Sequence, residues 1–138
     1  VAHGAQLGLL EHRYGILPDL GGTQRLPRIV GPSKALQLIV TAARIDSAEA
    51  ERIGLVDVAV SDDDLEDAAA ALAETIAAQP PLAVQGAKRA VWAAVSGLSV
   101  REGLLVEAEA QAACLRSEDV TEAITAFVER RAPVYRGR

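Results

Sequence analysis

The second half of the chain has a regular pattern of apolar and polar positions that predicts helices. From Ser61 onward, apolar residues recur every three or four positions, the spacing that places them on one face of an α-helix. We expect four amphipathic helices between residues 61 and 138, each packing through its apolar stripe. The stripes consist of Leu65, Ala69, Leu72 and Ile76; Val84, Ala87, Val91 and Val95; Leu104, Leu105, Ala108, Ala112 and Leu115; and Ile124, Phe127 and Val128.

Capping residues mark where these helices start. Ser99 is followed three residues later by Glu102, and this spacing is typical of a capping box, in which each side chain bonds the backbone N–H of the other residue. Prolines are favoured in the first turn of a helix, and serines at its N-cap. The starts predicted in this way are Ser61, Pro81, Ser99 and Ser117.

The first sixty residues combine short elements with loops. Residues 5–10 (AQLGLL) have the pattern of a short buried strand, and residues 55–60 (LVDVAV) alternate like a strand, although an extended connector would look the same. Helices are expected over residues 22–30, from Ser33 onward and over residues 47–53. The sequence therefore predicts a mostly α chain with short strands near residues 5–10 and 55–60.

Composition and charge narrow the possible functions. The 138 residues suffice for a domain with its own core, and the formal net charge of −5 has the wrong sign for a nucleic-acid or anionic-membrane surface. No apolar run reaches the length of a membrane span. We therefore expect no nucleic-acid partner and no membrane association. The single Cys114 and the lack of any Cys/His cluster predict no metal site and a reducing, cytoplasmic compartment.

Two carboxylates in an apolar, glycine-punctuated loop are the candidates for chemistry. Glu11 and Asp19 stand eight positions apart in EHRYGILPDLGGTQRL, directly before a predicted helix. A carboxylate in apolar surroundings is suited to proton transfer. Taken by themselves, however, Pro18 and Asp19 belong to a common turn sequence, and a glutamate at a strand end is usually a surface group.

The segment GILPDLGGTQRLPRIVG closely resembles the enoyl-CoA hydratase/isomerase (crotonase) superfamily. The resemblance continues through ALQLIVTAARIDSAEAERIGLVD, PPLAVQGAKRAV and AITAFVERRAPVYRGR, and covers essentially the whole chain. It implies the C-terminal helical half of a crotonase-type α/β spiral fold. The family's N-terminal half, which supplies the oxyanion-hole N–H groups, has no counterpart in these residues.

The resemblance also implies a division of the chain and an assembly. Residues 1–31 would end the crotonase core and carry the active-site loop. Residues 32–60 would be connecting helices and a short strand, and residues 61–138 would form a helical region that covers coenzyme A and makes trimer contacts. Members of the family form trimers or dimers of trimers, so the expected state is a homotrimer or hexamer.

The resemblance gives the two carboxylates specific roles. Glu11 stands where the hydratases have a catalytic glutamate, whereas Asp19 stands where they usually have a glycine. Dienoyl-CoA isomerases carry a glutamate and an aspartate at this same separation. The expected function is therefore proton transfer on an unsaturated acyl-CoA thioester, with double-bond isomerisation favoured. The alternatives are water addition to 2-enoyl-CoA, or a non-catalytic assembly half or binding module.

Two residues near the C-terminus match positions where crotonases contact the nucleotide end of coenzyme A. They are Phe127 and Arg130, the second of which is commonly a lysine in the family; no cofactor beyond the coenzyme A thioester substrate is implied. From the residues alone, the preferred interpretation is that Phe127 belongs to the buried helix face and that Arg130 and Arg131 merely complement the helix dipole.

Overall fold

The computed structural model describes all 138 residues, and it divides into two compact units, Val1–Ala69 and Ala70–Arg138. Seven α-helices, one short 3-10 helix and two very short strands make up the regular structure. The expected mostly α fold is therefore confirmed. No helix is both long enough and apolar enough to cross a lipid bilayer.

The first unit combines a two-stranded sheet with short helices. Strand β1 (Gln6–Leu7) pairs antiparallel with β2 (Ile45–Asp46), with Leu7 opposite Ile45. The helices are a 3-10 turn and α1 to α3, followed by the start of α4. Their bounds are Glu11–Tyr14 for the 3-10 helix, Gly22–Val30 for α1, Pro32–Thr41 for α2, Ser47–Arg52 for α3 and Leu65–Ala77 for α4.

The strand predicted near residues 5–10 is present as β1, but the strand predicted over residues 55–60 is wrong. In that segment only Val60 pairs, through an isolated bridge to Ala2. The N–H groups of Leu55 and Val56 instead donate to the carbonyl of Ala50, at 2.9 and 3.3 Å, as the chain leaves α3. Because these N–H groups are used locally, they are not available for a sheet ladder.

The core of the first unit lies between α1 and α2. Leu26 from α1 packs with Ala35, Leu38 and Ile39 from α2, and all four side chains are buried. The Arg13 guanidinium donates to the Ala42 carbonyl at 3.0 Å, which ties the 3-10 helix to the end of α2. The loop that contains Glu11 is thus attached to this core.

The second unit contains the end of α4 and three longer helices. These are α5 (Pro81–Val95), α6 (Val100–Leu115) and α7 (Glu118–Glu129). The predicted capping box is present, with Ser99 N–H donating to Glu102 at 2.8 Å and Glu102 N–H donating to Ser99 at 3.3 Å. Helix α4, by contrast, begins at Leu65 rather than near Ser61, because Ser61 closes a separate turn with Asp64.

Small residues, rather than the predicted stripes, form the contacts within the second unit. A Cβ added at Gly86 of α5 would lie 3.0 Å from the Cβ of Ala110 in α6, so the two helices approach closely at this point. Ala110 and Ala126 are buried. Many of the larger apolar side chains of the predicted stripes are instead exposed in this chain. They include Leu72, Val91, Leu104, Leu115, Ile124 and Val128.

Candidate functional site

Glu11 begins the 3-10 helix, and one of its carboxylate oxygens is not engaged by the protein. Its Oε2 atom is buried and accepts no hydrogen bond from the chain. The backbone around it is well defined, since Arg13 N–H donates to the Leu10 carbonyl at 3.0 Å and Gly15 ends the turn in the left-handed region at φ +73°. Buried carboxylate oxygens in proteins are nearly always hydrogen-bonded. Within this chain, the Glu11 Oε2 atom is thus a buried acceptor without a donor.

Asp19 lies in the exposed turn that leads into α1. Its carboxylate is solvent-accessible and forms no hydrogen bond or ion pair within the chain. The residue before it, Pro18, is fully buried. The buried Pro18 therefore anchors the turn on one side of Asp19, while the Asp19 carboxylate has no partner within the chain.

The two glycines after the turn allow this anchoring. Gly21 has φ +88°, a conformation that favours glycine, and its carbonyl accepts the Arg25 N–H at 2.9 Å as the helix begins. A Cβ at Gly22 would come within 2.9 Å of the Pro18 side chain and 3.1 Å of Leu9. The glycines thus serve tight packing between the loop and α1.

An apolar cavity of about 290 Å³ adjoins this loop within the first unit. Its lining is almost entirely aliphatic, and Arg25 is the only charged residue in it. Gly22, which lies against Pro18, lines the cavity together with Leu9. The sequence did not reveal the cavity, because its wall combines residues from β1, β2, α1, α2 and the segment after α3. The lining residues are Leu7, Gly8, Leu9, Gly22, Arg25, Leu26, Ile29, Leu38, Ile45 and Leu55.

Phe127 and Arg130 lie at the C-terminal end of α7, in the second unit. The Phe127 side chain is 85% exposed, so the interpretation that it belongs to the buried helix face is wrong; Ala126 occupies that face. Arg130 is the left-handed residue that ends the helix, with φ +54°, and its guanidinium forms no ion pair. The exposed Phe127 ring and the Arg130 guanidinium, which has no ion-pair partner, thus lie at the same helix end.

Arg131 differs from Arg130 because its charge is already committed. Its guanidinium binds the carboxylates of Glu122 and Glu129. The Arg131 hydrogen bonds, helped by the Val134 N–H, lower the pKa of Glu122 from 4.5 to about 2. The reciprocal effect raises the pKa of Arg131. Only Arg130 of this pair is available for an external anion.

Acidic residues near the start of α7 have a role that was not predicted from the sequence. Asp119 is buried, and its carboxylate accepts N–H groups from Arg136 at 2.7 Å and Gly137 at 2.9 Å. Glu122 accepts the Val134 N–H at 2.8 Å. The signal in the sequence is the complementary charge of an acidic first turn and a basic tail.

The four predicted site residues therefore form two pairs. Glu11 and Asp19 flank one loop in the first unit, and Phe127 and Arg130 share one helix end in the second.

Comparison with known proteins identifies a family over the whole chain. The family model described as Enoyl-CoA hydratase/isomerase matches residues 1–138. A Mycobacterium tuberculosis protein named probable enoyl-CoA hydratase echA8 is 43% identical over 134 residues, covering 97% of this chain and 52% of that protein. The short-chain-enoyl-CoA hydratase of Clostridium acetobutylicum is 41% identical over 127 residues, covering 92% of this chain and 48% of that protein.

A solved structure gives the same result. The crystal structure of enoyl-CoA hydratase from Bacillus anthracis superposes with a TM-score of 0.95 at 40% identity, covering 99% of this chain and 53% of that one. The chain thus spans about half the length of the relatives that it matches.

Proposed function

This chain belongs to the enoyl-CoA hydratase/isomerase family, and we propose from this that it carries the proton-transfer groups of an acyl-CoA-binding enzyme. The substrate is an unsaturated acyl-CoA thioester, and no further cofactor takes part. The thioester carbonyl acidifies neighbouring carbon atoms, and donors elsewhere in the whole protein stabilise the enolate oxygen. The residues of this chain supply the acid and the base.

The observation that carries the proposal is the unengaged Oε2 atom of Glu11. A general base needs an oxygen that is shielded from water and not already bonded to a protein donor. Glu11 meets both requirements. The aliphatic cavity next to its loop supports a substrate with an apolar acyl group.

Asp19 favours isomerisation over hydration. In this reaction one carboxylate removes a proton from carbon, the double bonds shift through a dienolate, and the other group, protonated, returns a proton to a different carbon. The atoms of the substrate are conserved and no water is added. The uncommitted carboxylate of Asp19, anchored beside the buried Pro18, supports such a second role.

Phe127 and Arg130 bind the nucleotide end of coenzyme A in this proposal. An arginine can hold a phosphate with two hydrogen bonds, and an exposed aromatic ring can contact the adenine. The support is that Phe127 is exposed and that Arg130, unlike Arg131, is free of carboxylates.

Hydration is the second candidate, and the names of the relatives favour it. The Clostridium acetobutylicum relative is named short-chain-enoyl-CoA hydratase. In that reaction Glu11 would activate a water molecule for addition to a 2-enoyl-CoA, and Asp19 would be only a turn residue. A cytoplasmic homotrimer or hexamer is proposed with either reaction, and the exposed apolar side chains of α5 to α7 support an assembly.

The experiment is to incubate the intact protein with 2-enoyl-CoA and, separately, with 3,5-dienoyl-CoA. The positions of the double bonds and the formation of 3-hydroxyacyl-CoA are followed by absorbance and NMR. Isomerisation of the dienoyl substrate is the expected result, whereas fast hydration without double-bond movement would overturn the isomerase assignment. Glu51→Gln, at an exposed glutamate of α3, is the matched control for Glu11→Gln, and it should leave the rates unchanged.

A further inference from the structure

The C-terminal tail runs back along α7 and is held there by carboxylates. Its contacts follow the helix in reverse order: Arg131 and Val134 with Glu122, then Arg136 and Gly137 with Asp119, then Arg138 with Glu118. The Glu118 N–H also donates to the Arg138 carbonyl at 2.6 Å. Residues 131–138 have no helix or strand of their own, so these contacts determine their course.

The chain reverses direction at Arg130. The Arg131 N–H donates to the Ala126 carbonyl at 3.0 Å, and the Arg130 N–H donates to the Phe127 carbonyl at 3.3 Å. This pair of bonds is the Schellman motif, whose left-handed residue is usually glycine. Here that residue is an arginine at φ +54°.

An arginine in this conformation is strained relative to glycine, so something must hold it there. The tail contacts after Arg130 provide the restraint, because they fix the direction in which the chain leaves the helix. The same contacts withdraw Arg131 into the ion pairs with Glu122 and Glu129 and leave the Arg130 guanidinium free.

We propose that Asp119 and Glu122 are positioning residues: by holding the tail along α7, they fix Arg130 in its left-handed geometry and present its guanidinium to the nucleotide phosphates of the acyl-CoA. This inference rests on the proposed coenzyme A site at Phe127 and Arg130. Neither Asp119 nor Glu122 touches the substrate. Their effect is therefore confined to the part of the substrate that Arg130 binds.

The test compares two forms of one thioester, acyl-CoA and the truncated acyl-pantetheine, which lacks the nucleotide. Asp119→Asn and Glu122→Gln in the intact protein should raise the ratio of the KM for acyl-CoA to the KM for acyl-pantetheine about tenfold, the size of change given by one lost charge-assisted contact. Glu109→Gln, an exposed glutamate of α6, is the matched control and should leave the ratio unchanged. An equal rise of both KM values, or no rise, would overturn the positioning role.

A double-mutant cycle separates positioning from general damage to the fold. If Asp119 and Glu122 act through Arg130, then Arg130→Ala combined with either variant should weaken coenzyme A binding no more than Arg130→Ala alone. Additive losses would contradict the inference. Binding of free coenzyme A by calorimetry makes the measurement independent of turnover. Failure of the unmutated protein to bind coenzyme A would overturn the proposed site itself, whereas normal binding by both carboxylate variants would overturn only the inference.

Discussion

Gly22 lies so close to Pro18 that a Cβ atom on the glycine would come within 2.9 Å of the proline Cβ. Pro18 is fully buried, and it directly precedes Asp19. The contact therefore connects the start of α1 to the position of a proposed catalytic carboxylate. Glu11 lies on the other side of the same loop.

Gly22→Ala should displace Pro18 and with it the loop. Overpacking of this kind costs about 1–3 kcal/mol of unfolding free energy. Denaturant unfolding measures the loss, and the rate of the acyl-CoA reaction should fall in parallel. A variant of unchanged stability and rate would show that the contact does not position Asp19.

Gly86→Ala tests the close approach of α5 and α6. The new methyl group would meet the Ala110 Cβ at 3.0 Å, so an overpacking cost of about 1–3 kcal/mol should exceed the helix-propensity gain. Gly103→Ala on α6 is the matched control, because nothing lies within 4 Å of its added Cβ. It should stabilise the protein by about 0.5–1 kcal/mol. Thermal unfolding of both variants gives the comparison, and equal shifts would argue against a tight crossing.

Acid should weaken the attachment of the tail to α7 in a defined pH range. The pKa of Glu122 is about 2 in the folded chain, below its ordinary 4.5, chiefly because Arg131 hydrogen-bonds its carboxylate. A lowered folded-state pKa means that the stabilisation is complete above pH 4.5 and is lost as the pH falls from 4.5 toward 2. Glu122→Gln should remove this part of the acid dependence of unfolding, while Glu109→Gln should retain it. Identical acid profiles for the two variants would refute the assignment.

Arg130→Gly should stabilise the fold while weakening coenzyme A binding. Glycine adopts the left-handed conformation freely, so the unfolding free energy should rise by about 1 kcal/mol. Arg116→Gly is the matched control: Arg116 ends α6 at φ −91°, where glycine brings no relief and costs about 0.5–1 kcal/mol. Melting temperatures and calorimetric titration with coenzyme A test both parts. Tighter binding by Arg130→Gly would contradict a role for the guanidinium.

Substitution of the two carboxylates, Glu11 and Asp19, should affect different reactions. Glu11→Gln should slow every proton-transfer reaction of the enzyme by about 10²–10⁴-fold, the usual contribution of a general base. Asp19→Asn should abolish isomerisation of 3,5-dienoyl-CoA, because the second proton transfer is lost. Product analysis of each variant measures this, and full isomerase activity in Asp19→Asn would show that Asp19 is only a turn residue.

Local sequence determined several helix starts and the candidate residues. The capping box of Ser99 and Glu102 and the proline start of α5 were predictable, since each depends on groups within a few residues of one another. The loop with Glu11 and Asp19 was likewise identifiable from its residues. The part of the site built by distant segments, the cavity beside Leu9 and Gly22, was not.

Only the tertiary structure decided which side chains are buried and which charges are free. Helical spacing identified Val91 and Leu104 as apolar, but the helices approach through Gly86 and Ala110, and this depends on how two surfaces fit together. The pairing of Leu7 with Ile45 joins segments far apart in sequence, whereas residues 55–60 had the stronger strand pattern. Likewise, Arg130 and Arg131 are adjacent and look equivalent in the sequence. Because the tail returns along α7, Arg131 forms an ion pair with Glu122, whereas Arg130 stays exposed and forms none.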